Sequence, residues 1–447
     1  MTQSADTIAA IATPPGAGGI GVVRVSGPLA RAIAVALAGI NPKPRIVHFA
    51  AFRDDAGGVL DRGLAVFFQA PRSFTGEDVL EVHAHGSPIV LDLLLRRICT
   101  LGARPARAGE FSERAFLNGK VDLAQAEAIA DLIASGSESA ARAALRSLEG
   151  VFSQAVHDVF EALARLRAWL EAALDFPEEE IDFLSAPQLT SDLAALRAQS
   201  DELLAGARRG VVLRDGLHVV IVGPPNAGKS SLLNALAQSE RAIVTAIPGT
   251  TRDVLRESVN LDGIALTLVD TAGLRDSEDL VEREGMRRAR QELVQADVAI
   301  LVSDSVHIVA DRALLAGCAV GAARVIVHNK IDLSGEPVRR ETAPGELQLW
   351  LSVHSGAGVD QLRAELARLA GRGDGIQGAF SARTRHVLAL SQVAQHLEAA
   401  AIQLQQRSGE LAAEELRQAQ LRLSEITGEF TSDDLLGKIF STFCIGK

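Results

Sequence analysis

A glycine-rich loop between an apolar segment and a helical segment constrains this chain more than any other feature. Leu217–Val222 (LHVVIV) is apolar and β-branched, which predicts a buried parallel strand. Gly223–Ser230 (GPPNAGKS) fits G-x-x-x-x-G-K-[ST], and Lys229–Gln238 then has the spacing of an amphipathic helix. Because this strand–loop–helix order holds phosphate in α/β domains, the chain is predicted to contain a P-loop.

The residues of this loop predict how phosphate is held. Gly223 and Gly228 permit a close backbone approach, while the loop N–H groups and the helix N-terminus supply donors. Lys229 is expected to bridge the β- and γ-phosphates as a catalytic residue, and the Ser230 hydroxyl to ligate Mg²⁺. The predicted nucleotide contacts here are Asn226, Ala227, Gly228, Lys229, Ser230 and Ser231.

Two further motifs follow in the order that a GTPase requires. Asp270-Thr271-Ala272-Gly273 comes after the predicted strand Ile264–Val269, so Asp270 can hold Mg²⁺ through water and act in catalysis, while the Gly273 N–H can meet the γ-phosphate. Asn329-Lys330-Ile331-Asp332 follows the predicted strand Arg324–His328. The Asp332 carboxylate can accept from N1–H and the exocyclic amine of guanine, which adenine cannot match. The predicted nucleotide is therefore GTP.

A last guanine contact is predicted at Ser352-Val353-His354, which follows the strand LQLWL and could meet the guanine O6 through backbone N–H. Residues 245–253 (TAIPGTTRD) suit a mobile switch in which Thr251 ligates Mg²⁺, although a plain surface loop is the alternative. Leu274 stands where many signalling GTPases carry a water-orienting glutamine. Hydrolysis must therefore use another group, either a carboxylate such as Glu278, Glu282 or Glu284, or a partner.

Length and composition limit the class of protein. A chain of 447 residues predicts about two to four domains, and 47% hydrophobic with 23% charged residues is typical of a soluble globular protein. The net charge of −11 argues against indiscriminate nucleic-acid binding. The three cysteines lie too far apart for a disulfide framework or a zinc site. With no signal-peptide pattern and no apolar stretch near ~18 residues, we expect a cytoplasmic protein without a membrane span.

The pattern along the chain predicts a multidomain α/β protein with an inserted GTPase domain. Residues 1–119 mix the strands Ile20–Val25, Leu64–Phe68 and Val79–His83 with one helix, Pro88–Leu101, and are expected to form an α+β domain. Residues 120–214 and 375–447 are expected to be two halves of an all-α domain around the GTPase domain, residues 215–374. The predicted helical segments are Asp122–Leu148, Val151–Asp175, Ala186–Gly206, Thr384–Gln406 and Leu411–Glu425, with a glycine hinge at Gly371–Gly375.

One basic segment lies at the end of the N-terminal region. The segment contains six basic residues and only two acidic ones, Glu110 and Glu113. It could therefore be an anion-binding surface or a solvated face. The cations are Arg96, Arg97, Arg104, Arg107, Arg114 and Lys120.

The inserted GTPase motifs and the final segment Phe443–Lys447 (FCIGK) resemble the MnmE (TrmE) family of tRNA modification GTPases, in the TrmE-Era-EngA-like superfamily. The likeness covers the whole chain. It is most specific at Thr13–Gly27, Ser73–Glu81, Gly109–Asp131 and Gly249–Arg256.

The resemblance implies a function with several partners. It implies an N-terminal domain that dimerises and binds a tetrahydrofolate derivative (5-formyl or 5,10-methylene), and GTPase domains that pair when K⁺ is bound. With the flavoprotein MnmG (GidA), in a heterotetramer or larger complex, a homodimer of this family adds a carboxymethylaminomethyl-type group to C5 of wobble uridine 34 in certain tRNAs. The one-carbon unit comes from the folate, and glycine or ammonia supplies the nitrogen. Arg24, Glu81, Lys120 and Lys447 match the folate-contacting positions.

Other residue roles also come from the resemblance. The K⁺ ligand positions match Asn226, Thr245, Ile247 and Thr250, and Glu282 matches the carboxylate that positions water. The nucleotide-binding switch comprises Thr245, Ala246, Ile247, Pro248, Gly249, Thr250 and Thr251. Cys444 lies near the folate site in the family pattern, where a nucleophile, a redox participant and a structural thiol are all open. Ser352-Val353-His354 departs from the usual Ser-Ala-basic pattern, and Pro224 replaces a common polar residue.

Three functions remain as hypotheses. The first is the K⁺-activated GTPase of folate-dependent tRNA modification. The second is a regulatory GTPase of ribosome or RNA assembly with a folate-like docking domain, and the third is a one-carbon transferase with a nucleotide switch. Folate binding by the N-terminal region would argue against the second. Loss of the wobble modification in an Asp270→Ala variant would argue against the third.

Overall fold

The structure is a computed structural model that describes residues 6–175, 187–237, 256–261, 264–270, 291–304, 308–319, 322–369, 379–429, 433–443 and 446. The chain divides into two compact units. The first unit comprises Met1–Ala130, Val156–Phe176 and Ser408–Lys447, and the second comprises Asp131–Ala155 and Pro177–Arg407. Among the helices of the described residues, none combines the length and apolar character needed to cross a membrane.

The first unit is built on a six-stranded sheet. Its strands are β1 (Ile8–Ile11), β2 (Gly18–Ser26), β3 (Val47–Arg53), β4 (Val59–Phe68), β5 (Val79–Gly86) and β6 (Arg104–Pro105). Their order is β3-β4-β5-β2-β1-β6, antiparallel except for the pair of β1 with β6. Alternate residues of these strands, such as Phe52 and Phe67, are fully buried in one core. The other face therefore presents the remaining side chains, including Arg24 and Glu81 of the predicted folate site.

The helices of this region differ from the sequence prediction. We predicted one helix, but the described part of residues 1–119 contains α1 (Ala30–Ala38), α2 (Pro88–Thr100) and α3 (Glu110–Leu117). The segment α1 is short and has no side-chain cap at Leu29, so it lacks the local signal of a helix start. Burial of Ile33 and Leu37 against the sheet stabilises it instead.

Most of the long helices lie where the periodicity predicted them. One predicted segment, Asp122–Leu148, is in fact two helices, because Ser137 starts a new one by accepting a hydrogen bond from the Ala140 N–H over 3.2 Å. Val151–Asp175 is confirmed, while the next helix runs on to Asp215. The helices are α4 (Leu123–Ala134), α5 (Glu138–Leu148), α6 (Val151–Asp175), α7 (Pro187–Asp215), α8 (Lys229–Ala237), α9 (Ile308–Asp311), α10 (Ile331–Ser334), α11 (Val359–Leu369), α12 (Thr384–Gln405), α13 (Gly409–Thr427) and α14 (Asp433–Ser441).

The second unit contains a seven-stranded sheet. Its strands are β7 (Leu217–Val222), β8 (Arg256–Leu261), β9 (Ile264–Asp270), β10 (Val298–Ser303), β11 (Ala323–His328), β12 (Arg339–Ala343) and β13 (Glu346–Trp350). The order is β12-β13-β11-β10-β7-β9-β8, with parallel pairing from β13 to β9 and an antiparallel strand at each edge. The predicted α/β fold class is confirmed. The carboxyl ends of the parallel strands share one edge, which is where such sheets bind ligands.

The predicted domain boundaries at residues 119, 214 and 374 stay predictions. The proposed glycine hinge, residues 371–375, lies outside the described residues.

Candidate nucleotide site

The P-loop connects β7 to α8 and has backbone positions that require glycine. At Gly223 a Cβ atom would lie 2.1 Å from the Val302 carbonyl oxygen of β10. At Gly228, where φ is +101°, a Cβ atom would lie 2.3 Å from Nδ2 of Asn329. Asn226 is also left-handed, with φ 62°. The loop is therefore closely wrapped between β10 and the guanine motif, with the geometry of an anion-binding turn.

Lys229 is buried at the first residue of α8. Its Nζ donates to the carbonyl oxygens of Gly223 and Pro224, both over 2.9 Å, and the residue is 7% exposed. An ammonium in such a place is stabilised most strongly by a compensating anion. The next residues, Ser230 and Ser231, are exposed at the N-terminus of the helix. The loop and helix thus fit a polyphosphate, and Ser230 offers a hydroxyl for its Mg²⁺.

Asn329 brings three predicted segments together. Its Nδ2 donates to the Ala227 carbonyl over 2.8 Å, and its Oδ1 accepts from the Val353 N–H over 3.0 Å. The residue is 6% exposed, so these bonds are shielded from water. One amide therefore links the P-loop to the loop that follows β13.

The loops after β11 and β13 carry the two predicted guanine motifs, and we call them the guanine loops. A second hydrogen bond connects them. The Ser352 hydroxyl donates to Oδ1 of Asp332 over 2.5 Å, and Ser352 is itself fully buried. The Asp332 side chain is otherwise exposed, at the start of the short helix α10. Lys330 is left-handed there, with φ 66°, and His354 is exposed. A carboxylate oriented in this way can accept from the edge of a guanine base.

Asp270 is the residue that the sequence predicted to hold Mg²⁺ through water. Asp270 ends β9 and pairs with Ile221 of β7, which places its backbone at the same sheet edge as the P-loop. The other predicted residues lie outside the described residues; they are Thr245, Ala246, Ile247, Pro248, Gly249, Thr250, Thr251, Thr271, Ala272, Gly273, Glu282, Cys444 and Lys447.

Sequence reasoning missed a pair of rings beneath the guanine loops. His328 ends β11 and Trp350 ends β13, and the two rings stack with centroids 4.1 Å apart and an angle of 5°. The signal was present in part, because the predicted strand Arg324–His328 ends in a ring directly before Asn329, and LQLWL carries Trp350 two residues before Ser352.

The predicted folate residues Arg24 and Glu81 lie on neighbouring strands of the first unit. They are directly opposite in the register of β2 and β5, and Nε of Arg24 donates to Oε1 of Glu81 over 3.0 Å. His83 contacts the other carboxylate oxygen, with Nε2 3.4 Å from Oε2. The Arg24 guanidinium also lies 5.6 Å from the centre of the Phe74 ring. Both residues are partly exposed, so the pair is open to a ligand.

Two further residues with predicted or neighbouring roles, Lys120 and Gly446, make contacts within the first unit. Lys120 donates from Nζ to the Pro71 carbonyl over 3.0 Å, in the connection between β4 and β5 that also contains Phe74. At the chain end, a Cβ atom on Gly446 would lie 2.4 Å from the Ile11 carbonyl oxygen. Because Ile11 pairs with Val23, Gly446 lies beside the strand pair that carries Arg24.

Three arginines of the basic segment form ion pairs with carboxylates. Arg114 is 4% exposed and pairs with Asp6, Glu77 and Glu110. Arg104 pairs with Asp6 and Glu110, and Arg107 pairs with Glu113. The interpretation as an anion-binding surface is therefore wrong for the buried Arg114, and it stays a prediction for Arg104 and Arg107, whose side chains are 40% and 67% exposed.

Comparisons with known proteins identify the family. The model of the MnmE helical domain matches residues 123–444, and that of the GTP-binding protein TrmE N-terminus matches residues 7–120. The tRNA modification GTPase MnmE of Sodalis glossinidius (strain morsitans) is 54% identical over 455 residues, with 100% of both chains covered. The chain belongs to the MnmE family. The predicted resemblance and the prediction of a GTP-hydrolysing enzyme are thereby confirmed.

A second relative gives the same result. The tRNA modification GTPase MnmE of Methylococcus capsulatus (strain ATCC 33009 / NCIMB 11132 / Bath) is 54% identical over 446 residues, covering 99% of each chain. Among solved structures, the G domain of the T. maritima FeoB iron transporter is 23% identical, covering 34% of this chain and 98% of that one. Its TM-score of 0.25 is too low to carry an argument.

Proposed function

We propose that this chain is a K⁺-activated GTPase that acts with a flavoprotein partner on tRNA. It adds a carboxymethylaminomethyl-type group to C5 of wobble uridine 34, using a tetrahydrofolate one-carbon unit and GTP hydrolysis. Membership of the MnmE family supports this function. The observation that supports its nucleotide part is the bridge that Asn329 makes between Ala227 and Val353, since it joins the P-loop to the loop proposed to meet the guanine O6.

The chain's own residues have separate tasks on GTP. Lys229 exchanges the carbonyls of Gly223 and Pro224 for the β- and γ-phosphate oxygens, and Asp332 holds the base. Ser230, Thr251 and Asp270 are the proposed Mg²⁺ positions. Mg²⁺ and K⁺, when bound, would offset negative charge on the phosphates.

The proposed K⁺ ligands are Asn226, Thr245, Ile247 and Thr250. Of these, only Asn226 is described, and its exposed side chain in a left-handed turn fits a ligand at the mouth of the loop. Glu282 is proposed to position the attacking water, because Leu274 cannot. The other proposed contacts with GTP are Ala227, Gly228, Ser231, Ala246, Pro248, Gly249, Thr271, Ala272, Gly273, Asn329, Lys330, Ser352, Val353 and His354.

The folate part of the proposal is supported by the first unit. Glu81 can accept from the pterin N–H edge, and the cations Arg24, Lys120 and Lys447 can meet the anionic glutamate tail. The position of Gly446 beside β1 supports a tail that reaches this face. Cys444 would then lie close to the one-carbon unit, where its role is open.

The proposed assembly is a homodimer that joins MnmG (GidA) in a heterotetramer or larger complex in the cytoplasm. The proposed domains are residues 1–119 for folate binding and dimerisation, 120–214 and 375–447 for the helical domain, and 215–374 for the GTPase domain.

Two measurements test the proposed function. GTP hydrolysis should be much slower in NaCl than in KCl at equal ionic strength, and equal rates would disprove K⁺ activation. Mass spectrometry of tRNA nucleosides from a deletion strain should show loss of the C5 modification at the wobble uridine. The parent gene should restore it and Asp270→Ala should not. Intact wobble nucleosides in the deletion strain would favour the alternative, a regulatory GTPase of ribosome or RNA assembly.

A further inference from the structure

Three side chains from neighbouring strands form a stack at the base of the guanine loops. Trp350 of β13 is opposite His328 of β11 in parallel register and opposite Arg339 of β12 in antiparallel register. The His328 ring lies 4.1 Å from the Trp350 ring, and the Arg339 guanidinium lies 3.8 Å from it. Because the two neighbours come from strands on either side of β13, the indole is held from both directions.

The two rings are buried and tightly oriented. His328 is 5% exposed and Trp350 is 6% exposed. Nε2 of His328 also donates to Oε1 of Gln348 over 3.1 Å, which fixes the plane of the imidazole. Burial lowers the pKa of His328, so the ring is neutral near pH 7 and can stack without burying a charge. Parallel stacking and cation–π contact are both favourable under these conditions.

The position of the stack connects it to the nucleotide. Asn329 directly follows His328, while Ser352 comes two residues after Trp350. The backbone continues the connection, because the Leu351 N–H donates to the His328 carbonyl over 3.0 Å. Any change in the separation of the two strand ends would therefore move Asp332 and Asn329 relative to Ser352 and Val353.

We propose that Trp350 and His328 are positioning residues for guanine recognition, acting by holding the two base-binding loops at a fixed separation. Neither ring contacts the nucleotide in this role. The inference rests on the proposed guanine contact of Asp332. It deepens the proposed function by assigning base affinity to residues outside the GTPase motifs.

The main test is steady-state GTP hydrolysis by the full-length Trp350→Leu variant. Loss of one aromatic stack should raise KM for GTP and Kd for GDP by roughly 3- to 10-fold. The turnover number should stay at the parent value, because the P-loop and the switch are unchanged. Trp350→Phe should restore most of the affinity, and Trp169→Phe, on α6, is the matched control with parent kinetics.

A second variant tests the same role if Trp350→Leu does not fold. His328→Gln removes the opposite ring but retains a side chain that can reach Gln348, and it should raise KM in the same way. Parent values of KM and Kd in both variants would overturn the positioning role, as would a lower turnover number at unchanged KM.

Asp332→Asn separates this inference from the proposed guanine contact. A switch of preference from GDP to xanthosine diphosphate would show that Asp332 contacts the guanine base. If Trp350→Leu then had parent values of KM and Kd, only the positioning role of the stack would be disproved. An unchanged preference for GDP in Asp332→Asn would remove the guanine contact and the positioning role with it.

Discussion

Asn329 donates its side-chain amide to the main-chain carbonyl of Ala227 over 2.8 Å, which ties the guanine motif to the phosphate loop. The two residues lie in different loops of the sheet edge, after β11 and after β7. The proposed base and phosphate subsites are thus joined by a hydrogen bond between their two loops. Loss of the Asn329 side chain should therefore weaken nucleotide binding as a whole.

Asn329→Ala should weaken GDP binding by roughly 10- to 100-fold, because it leaves the buried Ala227 carbonyl and Val353 N–H without this partner. Isothermal titration with GDP measures the effect. Asn118→Ala is the matched control, since Asn118 makes a similar amide bond, over 2.7 Å to the Thr75 carbonyl, in the first unit. Equal GDP affinity in the parent and in Asn329→Ala would contradict the bridging role.

Asp131→Asn should destabilise the second unit. The Asp131 side chain is 6% exposed and accepts from Arg214 at the end of α7 and from Arg383 before α12, each over 2.7 Å. We expect a loss of about 2 kcal/mol in the free energy of unfolding, below the ~3–5 kcal/mol of fully buried pairs, because both arginines are partly exposed.

Thermal unfolding of the Asp131→Asn variant measures this loss. Asp192→Asn on α7 is the control. Because Asp192 is exposed, this variant should unfold at the same temperature as the parent protein. An unchanged unfolding temperature for Asp131→Asn would show that the ion pairs of Asp131 with Arg214 and Arg383 do not stabilise the second unit.

Glu110 should make the stability of the first unit depend on acid pH. Burial opposes ionisation of its carboxyl, but hydrogen bonds from Arg104, the Arg107 N–H and Arg114 outweigh burial and lower the pKa from 4.5 to about 2. Because the pKa of Glu110 is lower in the folded state, its ionised carboxylate stabilises the protein fully above pH 4.5. This stabilisation is lost as the pH falls toward about 2. The contribution is at most about 3 kcal/mol.

Glu110→Gln tests the pH dependence. At neutral pH the variant should unfold at a lower temperature than the parent, and the difference should shrink as the pH falls below 4.5. Glu113→Gln removes the more exposed partner of Arg107 and should change the unfolding temperature little. A difference that stays constant with pH would exclude a lowered pKa for Glu110.

Glu81→Gln should weaken binding of 5-formyltetrahydrofolate by roughly 10- to 100-fold, since it replaces a charge-assisted acceptor for the pterin N–H groups by a neutral one. Equilibrium dialysis with the full-length protein measures the affinity. Glu113→Gln again serves as the control and should bind as the parent does. Parent affinity in Glu81→Gln would remove this residue from the folate site.

The elements that the sequence predicted well are those with a strong local pattern. The buried strand β7 and the long helix α6 have the predicted bounds, because a continuous apolar run and a sustained helical period each specify one structure. The strand β10 was not predicted, although its run VAILVS carries the same signal as β7. The helix α1 and the break before α5 depend on packing and on one cap, which are weaker local signals.

The sequence by itself determined the order of the motifs, the nucleotide class and the family, since each depends on residue identity and spacing along the chain. Only the tertiary structure decided that Asn329 bonds to Ala227, that Arg24 faces Glu81 and that His328 stacks on Trp350. These pairs join strands and loops that are distant in sequence, and their contact depends on strand order and register. A shift of one residue would turn every side chain of a strand to the other face, and packing of the whole sheet excludes it.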